Sequence, residues 1–171
     1  FTIAQETEWD IADRNIVRVS PDSFPQLPDK IRVYLKGAGY TIPQSYLITA
    51  RPHNVIQGSF KTVGQMDWAV LASKERISSI LIFWNGSLDK VTSIAKEPDK
   101  NYLQGIGSGV IAFSRTIEVI KKSSVLEQVK KAKGNYTVIK DHDGINDAFL
   151  DKASAIHYLS DGAWYNFQGA D

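Results

Sequence analysis

Gly58-Ser59-Phe60-Lys61-Thr62-Val63-Gly64-Gln65-Met66-Asp67-Trp68-Ala69-Val70-Leu71 leads through a charged turn, Lys74-Glu75-Arg76, into Ile80-Leu81-Ile82-Phe83-Trp84-Asn85-Gly86. The pattern predicts two strands, residues 66–73 and 77–84, joined as a hairpin. Trp68, Val70 and Ala72 alternate with Ala69 and Leu71, and Ile80, Ile82 and Trp84 alternate with Leu81 and Phe83, so both faces of both strands are apolar. A strand with one face in water alternates apolar with polar, whereas near-continuous apolar runs belong to strands covered on both sides. The hairpin is therefore expected at the centre of the molecule. Asp67 stands as the one acid at the mouth of its first strand, and the N-terminal helices are the expected cover for one face.

Upstream, residues 1–45 read as a helical part. Trp9, Ile11, Ala12, Ile16 and Val17 fit one amphipathic helix within residues 6–19. Pro21, Pro25 and Pro28 mark a turn and an extended link, because each proline disfavours helix at the residue before it. A second helix is predicted to open at Pro28 or Asp29, to share Ile31 and Leu35 on one face, and to end at Gly37 or Gly39. From residue 46 onward the pattern is mainly β, with a strand at residues 54–60 and an edge strand at 91–95.

The glycine cluster Gly105-Ile106-Gly107-Ser108-Gly109 lacks the spacing and the following helix of a phosphate loop and is read as a flexible connection. Residues 110–120 are read as one strand that places Ile111, Phe113, Arg115, Ile117 and Val119 on one side. Arg115 interrupts that apolar stripe. Buried, it needs a carboxylate, and Asp67 is the acid chosen to form the ion pair. The competing placements leave it reaching the surface from a strand end or facing solvent on a twisted edge. Ser124-Val125-Leu126-Glu127 matches a capping box for a helix over residues 124–133, closed by Gly134. The lysines Lys121, Lys122, Lys130, Lys131 and Lys133 are read as its solvated face.

Asp161-Gly162 fits a two-residue type I′ turn between strands at residues 153–159 and 163–168. The implied register pairs Leu159 with Trp164, Tyr158 with Tyr165 and His157 with Asn166. Ile156, Tyr158, Tyr165 and Phe167 then face the core, while His157, Trp164 and Asn166 share the other, amphipathic face and are the candidate ligand-binding residues.

Composition narrows the function classes. The chain has 171 residues, 43% of them apolar, enough to bury about 70% of its unfolded surface in one core. One domain, 1–171, is expected. Twenty basic against nineteen acidic residues leave a net charge of +1, so no strong field draws the chain to nucleic acid. No apolar run reaches the length of a spanning helix, so no membrane insertion is expected. Cysteine is absent, which removes disulfides, thiolate catalysis and cysteine-ligated zinc. The opening residues show no targeting pattern, as in a mature exported protein or a trimmed cytoplasmic one.

Candidate chemistry is sparse. Asp141-His142-Asp143-Gly144-Ile145-Asn146-Asp147 gathers three carboxylates and an amide, but its glycine falls at position four and Lys152 at position twelve, which is not an EF-hand. His53, His142 and His157 show no helical pairing, so no metal site is assigned. His142 beside Asp143 could act as acid and base, with Asp67 as a further carboxylate. No serine elbow occurs, and no cofactor is expected.

Gly58-Ser59-Phe60, Gly64-Gln65-Met66-Asp67-Trp68-Ala69-Val70 and residues 80–86 resemble one blade hairpin of the FG-GAP type found in integrin-like propellers. In that family the intervening loop supplies calcium ligands. Here Lys61, Thr62 and Val63 occupy it, so the metal is not carried over, and no repeat extends the likeness. The chain also resembles small exported bacterial domains of unassigned activity, on Arg51-Pro52-His53-Asn54-Val55-Ile56, Asp67-Trp68-Ala69-Val70-Leu71, His142-Asp143-Gly144-Ile145 and the ending Gly169-Ala170-Asp171. That resemblance implies a secreted or periplasmic location.

The expectation is an α+β domain with a mostly antiparallel twisted sheet, centred on residues 66–84, joined by the 108–120 strand and the C-terminal hairpin. The favoured function is a non-catalytic exported binding domain for a protein or a cell-envelope polymer. The rivals are a hydrolase-like enzyme using His142, Asp143 and Asp67, and a calcium-stabilised module.

Overall fold

The structure, a computed structural model, describes residues 5–170. In chain order the elements are α1 (Glu8–Arg14), β1 (Arg18–Val19), α2 (Asp29–Gly37), β2 (Ile42–Pro43), β3 (Val55–Gly58), β4 (Asp67–Lys74), β5 (Ile77–Phe83) and β6 (Val91–Pro98). They continue as β7 (Leu103–Gly105), β8 (Ile111–Phe113), β9 (Arg115–Ile120), α3 (Lys122–Lys131), β10 (Gly144–Phe149), β11 (Ala153–Ser160) and β12 (Ala163–Gln168). Every strand pair is antiparallel, and with three α-helices among the described residues the chain is α+β.

The expected single sheet is replaced by two four-stranded sheets, β3-β4-β5-β6 and β12-β11-β10-β9, with two minor pairs, β1-β2 and β7-β8. The central hairpin still lies where its apolar runs demand. One face of the first sheet, with Trp68, Val70, Ala72, Leu81 and Phe83, packs on Phe24, Leu27, Ile31, Leu35 and Ile42 from α2 and its flanks. The other face, with Ala69, Leu71, Ile80 and Ile82, packs on Ile117 and Ile145 of the second sheet. Ile156 and Tyr158, on the far side of that second sheet, pack on Val125 and Val129 of α3. The layer order is helix, sheet, sheet, helix. Runs such as Val70-Leu71 and Leu81-Ile82 are apolar on both parities because their successive side chains enter two different cores, and each such side chain contributes about 1.5–3 kcal/mol on burial.

Local sequence accounts for most boundaries. Thr7 and Asp10 cap α1 reciprocally, α2 buries Ile31 and Leu35, and Gly39 leaves it with a positive φ of 81°. The N-terminal part is not wholly helical, since it also supplies β1 and β2. α3 starts two residues before the expected cap. β9 runs directly into it through an extended Lys121, so Ser124 lies inside the helix and exposed, and no side chain caps its start. Lys133 takes the left-handed conformation at its end, while the Gly134 amide bonds back to the Val129 carbonyl at 2.8 Å.

The strand expected over residues 110–120 is broken at Ser114, whose amide donates to Tyr102 and thereby sends β8 and β9 into different sheets. Its inward stripe survives the break. Phe113 and Ile117 are buried in the inter-sheet core with Ile111 and Val119 against them, and Arg115 between them is fully buried.

Arg115 does not pair with Asp67. Asp147 on the adjacent strand β10 holds it in a two-pronged pair, Nε to Oδ1 at 2.9 Å and Nη2 to Oδ2 at 2.7 Å. Phe149 stands opposite Arg115 and Ile117 opposite Asp147, so the pair is the diagonal on one face, while Asp67 lies at the far end of β4. The guanidinium also donates to Ser78 Oγ of β5 at 3.1 Å and to the Ala95 carbonyl of β6 at 2.9 Å, with the Tyr102 ring 4.3 Å from its centre. Arg115 thus pins the two sheets to each other. Burial works against its charge, but the Asp147 bond and charge outweigh that, holding Arg115 above its ordinary pKa.

Asn54 makes a second stitch. Its amide donates to the Pro43 and Arg115 carbonyls and its oxygen accepts from the Ile117 amide.

Candidate functional site

Toward the end of the sandwich opposite Arg115, residues of both sheets and their loops line a common concavity. A cleft of about 640 Å³ opens there, lined by Lys61 and Thr62, by Trp84, Lys90 and Thr92, and by Lys140, His142, Leu159 and Trp164 from the second sheet and its loops. Trp84 follows the last residue of β5 and Trp164 lies on β12. Their ring centroids are 6.3 Å apart with planes inclined at 33°, and both rings are half-buried. Such contact joins them into one apolar platform. Trp84 Nε1 donates to Thr92 Oγ1 at 2.8 Å, which fixes the first indole.

The register places Trp164. Asp161 and Gly162 both have positive φ, 49° and 81°, as a type I′ turn requires, and Leu159 stands opposite Trp164 and His157 opposite Asn166. The face partition read from the sequence therefore holds, with Ile156, Tyr158 and Phe167 against α3 and Trp164 and Leu159 in the cleft.

Of the candidate ligand-binding residues, only Trp164 lines the cleft. His157 is buried, with Nε2 3.2 Å from Asp147 Oδ2 and Nδ1 2.6 Å from Asn166 Oδ1. His157 and Asn166 extend the Arg115 network outward. Burial raises the pKa of the Asp147 carboxyl, but hydrogen bonds from Arg115 and His157 and their charges outweigh it, so the carboxyl is held below its ordinary range.

Asp67 and Asp143, the carboxylates considered for catalysis, instead fasten the loops that build the cleft. Asp67 is fully buried and accepts from the Phe60 amide at 2.9 Å, the Gln65 side chain at 2.6 Å and the Asn85 amide at 2.8 Å. It thereby ties the loop carrying Lys61 and Thr62 to the turn carrying Trp84. Asn85 turns the chain at a positive φ of 50°. Asp143 accepts from the Ser59 amide at 3.1 Å and from Lys121 Nζ at 3.0 Å, and its own amide bonds to the Ser59 carbonyl. Gly58 permits this approach, since a Cβ there would stand 3.3 Å from Asp143 Oδ2 and 2.8 Å from the Phe60 ring.

His142 reaches the cleft wall. Its ring stacks on Tyr158 at 4.5 Å, and its Nδ1 lies 2.9 Å from the Asp143 carbonyl oxygen. A carbonyl can only accept, so Nδ1 carries the hydrogen and Nε2 is the acceptor of the neutral ring. The adjacent Asp143 carboxylate accepts from Ser59 and Lys121 through Oδ2, and His142 meets the Asp143 backbone carbonyl and not its carboxylate.

The carboxylates of the Asp141–Asp147 segment diverge. Asp141 is exposed and pairs with Lys122, Asp143 holds Ser59, and Asp147 faces Arg115. No group of three metal-ligating side chains occurs among the described residues.

Charge in the cleft is one-sided. Lys61, Lys90 and Lys140 are exposed along its rim. Asp161 is the lone acid in the lining and pairs with Lys140 at 3.0 Å, while Lys61 and Lys90 have no carboxylate within 4.0 Å among the described residues. Lys61 Nζ lies 5.9 Å from the Trp84 ring centre. Trp84 also packs against the inter-sheet core, as its strand pattern predicts, while Lys61 enters the sequence reading only at a position where the FG-GAP type has a calcium ligand. No spacing rule joins residues 61, 84, 90, 140 and 164, because the cleft is made where two separate sheets meet.

A second cavity of about 510 Å³ lies among α1, residues 44–52 and β8, and its lining carries a single charged side chain, Arg51. Elsewhere, Asp99 is buried against Arg18 at 2.7 Å and Ser73 Oγ at 2.6 Å, and Asp13 meets Arg76 at 3.3 Å. These pairs tie α1 and β1 to the β4-β5 hairpin. No helix among the described residues is long and apolar enough to cross a membrane. The chain matches no protein-family model, no curated protein and no solved structure.

Proposed function

We propose that this chain is a non-catalytic, exported binding domain that holds a glycan of the cell envelope in the cleft between its two sheets. The observation that carries this reading is the Trp84–Trp164 pair, two half-buried indoles with ring centroids 6.3 Å apart in the lining of a cleft of about 640 Å³. Large apolar rings left accessible in a concavity, with a few polar groups around them, are the usual composition of a ligand site. The electron-rich face of an indole attracts the slightly positive C–H groups on one face of a sugar ring, and a platform of two rings suits consecutive residues of a polymer. Thr62 supplies a hydroxyl in the lining, and Thr92 Oγ1, which accepts from Trp84, keeps its own hydrogen to donate. The carboxylates nearby fasten loops, which favours holding a ligand over transforming it.

Affinity electrophoresis through gels containing envelope polysaccharides tests the reading. The wild-type protein is expected to be retarded by at least one of them, and Trp164→Ala and Trp84→Ala each to weaken that binding roughly tenfold or more, as removal of a buried aromatic anchor does. Both rings also pack on the inter-sheet core, so circular dichroism checks the fold of each variant, and Trp164→Phe, which keeps most of the packing and shrinks the platform, is assayed beside them. Retardation that survives both substitutions would move the ligand away from the cleft.

A further inference from the structure

We infer that the glycan taken by this cleft is acidic, bearing carboxylate or phosphate groups spaced along the chain, an inference that rests on the glycan reading above. Lys61, Lys90 and Lys140 come from three separate segments, the loop before β4, the turn before β6 and the loop before β10, yet all line one cleft. The chain as a whole carries only +1, so this concentration is local. Of the three, only Lys140 has a neutralising neighbour, Asp161. A concave site with apolar walls focuses the field of such charges on whatever enters it, which favours anions.

The geometry separates an acidic glycan from a single-stranded nucleic acid, the other polymer that combines negative charge with stacking. Bases stack face to face on separated rings or slip between them. Here the ring centroids lie 6.3 Å apart with planes inclined at 33°, closer than the roughly 7 Å that two parallel rings need to sandwich a base, and the two ring planes are not coplanar. A puckered sugar chain follows that surface better than a flat base does. Lys61 Nζ stands 5.9 Å from the Trp84 ring centre, within reach of a charged substituent on a sugar held there.

Titration calorimetry with defined probes tests the inference. The probes are oligogalacturonate, the same oligomer with its carboxyl groups methyl-esterified, a phosphomannan fragment and the unphosphorylated mannan fragment, with an oligodeoxythymidylate alongside. At low salt at least one acidic probe is expected to bind roughly tenfold more tightly than its uncharged counterpart, the equivalent of two or three exposed ion pairs. Which acidic probe does so identifies carboxylate or phosphate as the recognised group. Lys61→Gln with Lys90→Gln should bring the affinity for the acidic probe down to that for its uncharged counterpart, and high salt should do the same to the wild type. Equal binding of charged and uncharged oligomers, still lost in Trp164→Ala, would overturn the acidic ligand while leaving the glycan site standing. Absence of binding to every sugar probe would overturn both. Tighter binding of the oligodeoxythymidylate than of any sugar would replace the glycan by nucleic acid.

Discussion

Asp147→Ala is expected to destabilise the protein by about 3–5 kcal/mol in urea unfolding, the range for breaking a buried ion pair from one side. Arg115 is fully buried, and without Asp147 its charge would keep only Ser78 Oγ, the Ala95 carbonyl and the Tyr102 ring. Asp147→Leu combined with Arg115→Met should cost markedly less, because neither substitution then strands a charge. The native pKa of Asp147 lies below its ordinary 3.8. The unfolded chain therefore takes up the proton first as pH falls, and the stabilisation is complete above about pH 4 to 5 and lost as pH drops through the lower native value. Acid unfolding of the wild type should contain that loss, and Asp147→Ala should lack it. A urea effect under about 1 kcal/mol would mean that Asp147 is not what holds the buried Arg115 charge.

Asp67→Ala is expected to cost about 2–5 kcal/mol and to abolish ligand binding as well. The substitution strands the buried Phe60 amide, where a donor left without an acceptor costs about 1–3 kcal/mol, and removes the partly buried bond to the Asn85 amide and the packing of a fully buried side chain. It also releases the loop with Lys61 from the turn with Trp84, so the two sides of the cleft lose their common anchor. Asp67→Asn keeps one acceptor oxygen and should fall between wild type and alanine in both measurements. Urea titration and the calorimetric assay on the same variants check this. Unchanged affinity in a destabilised but folded Asp67→Ala protein would separate Asp67 from the site.

The sequence made the local structure legible wherever one strand or one turn carried the information. The two-sided apolar runs of residues 66–84 located the centre of the molecule, and Asp161-Gly162 fixed the face on which Trp164 lies. Arg115 stood out because a charge on an apolar stripe must be satisfied, but its partner was misassigned. Asp147 looked like one acid among several in a turn, whereas it lies on β10, a strand that the turn-like composition of Asp141-His142-Asp143-Gly144 concealed. The split at Ser114 went unseen because Val110 to Ile120 is continuous in β propensity, and only the tertiary bond to Tyr102 divides it. The same limit hid the cleft. Its walls come from two sheets whose contact follows from packing, and periodicity within one strand carries no trace of what the facing sheet will bring.

The most direct test follows the four indole N–H signals in a two-dimensional ¹H–¹⁵N spectrum during titration with the acidic oligosaccharide that binds best. Trp84 and Trp164 are expected to shift together along one saturation curve, while Trp9, exposed on α1, and Trp68, buried against α2, stay in place. Movement of Trp9 with Trp84 and Trp164 unmoved, or no movement of any indole at saturating ligand, would contradict a glycan site between the two sheets.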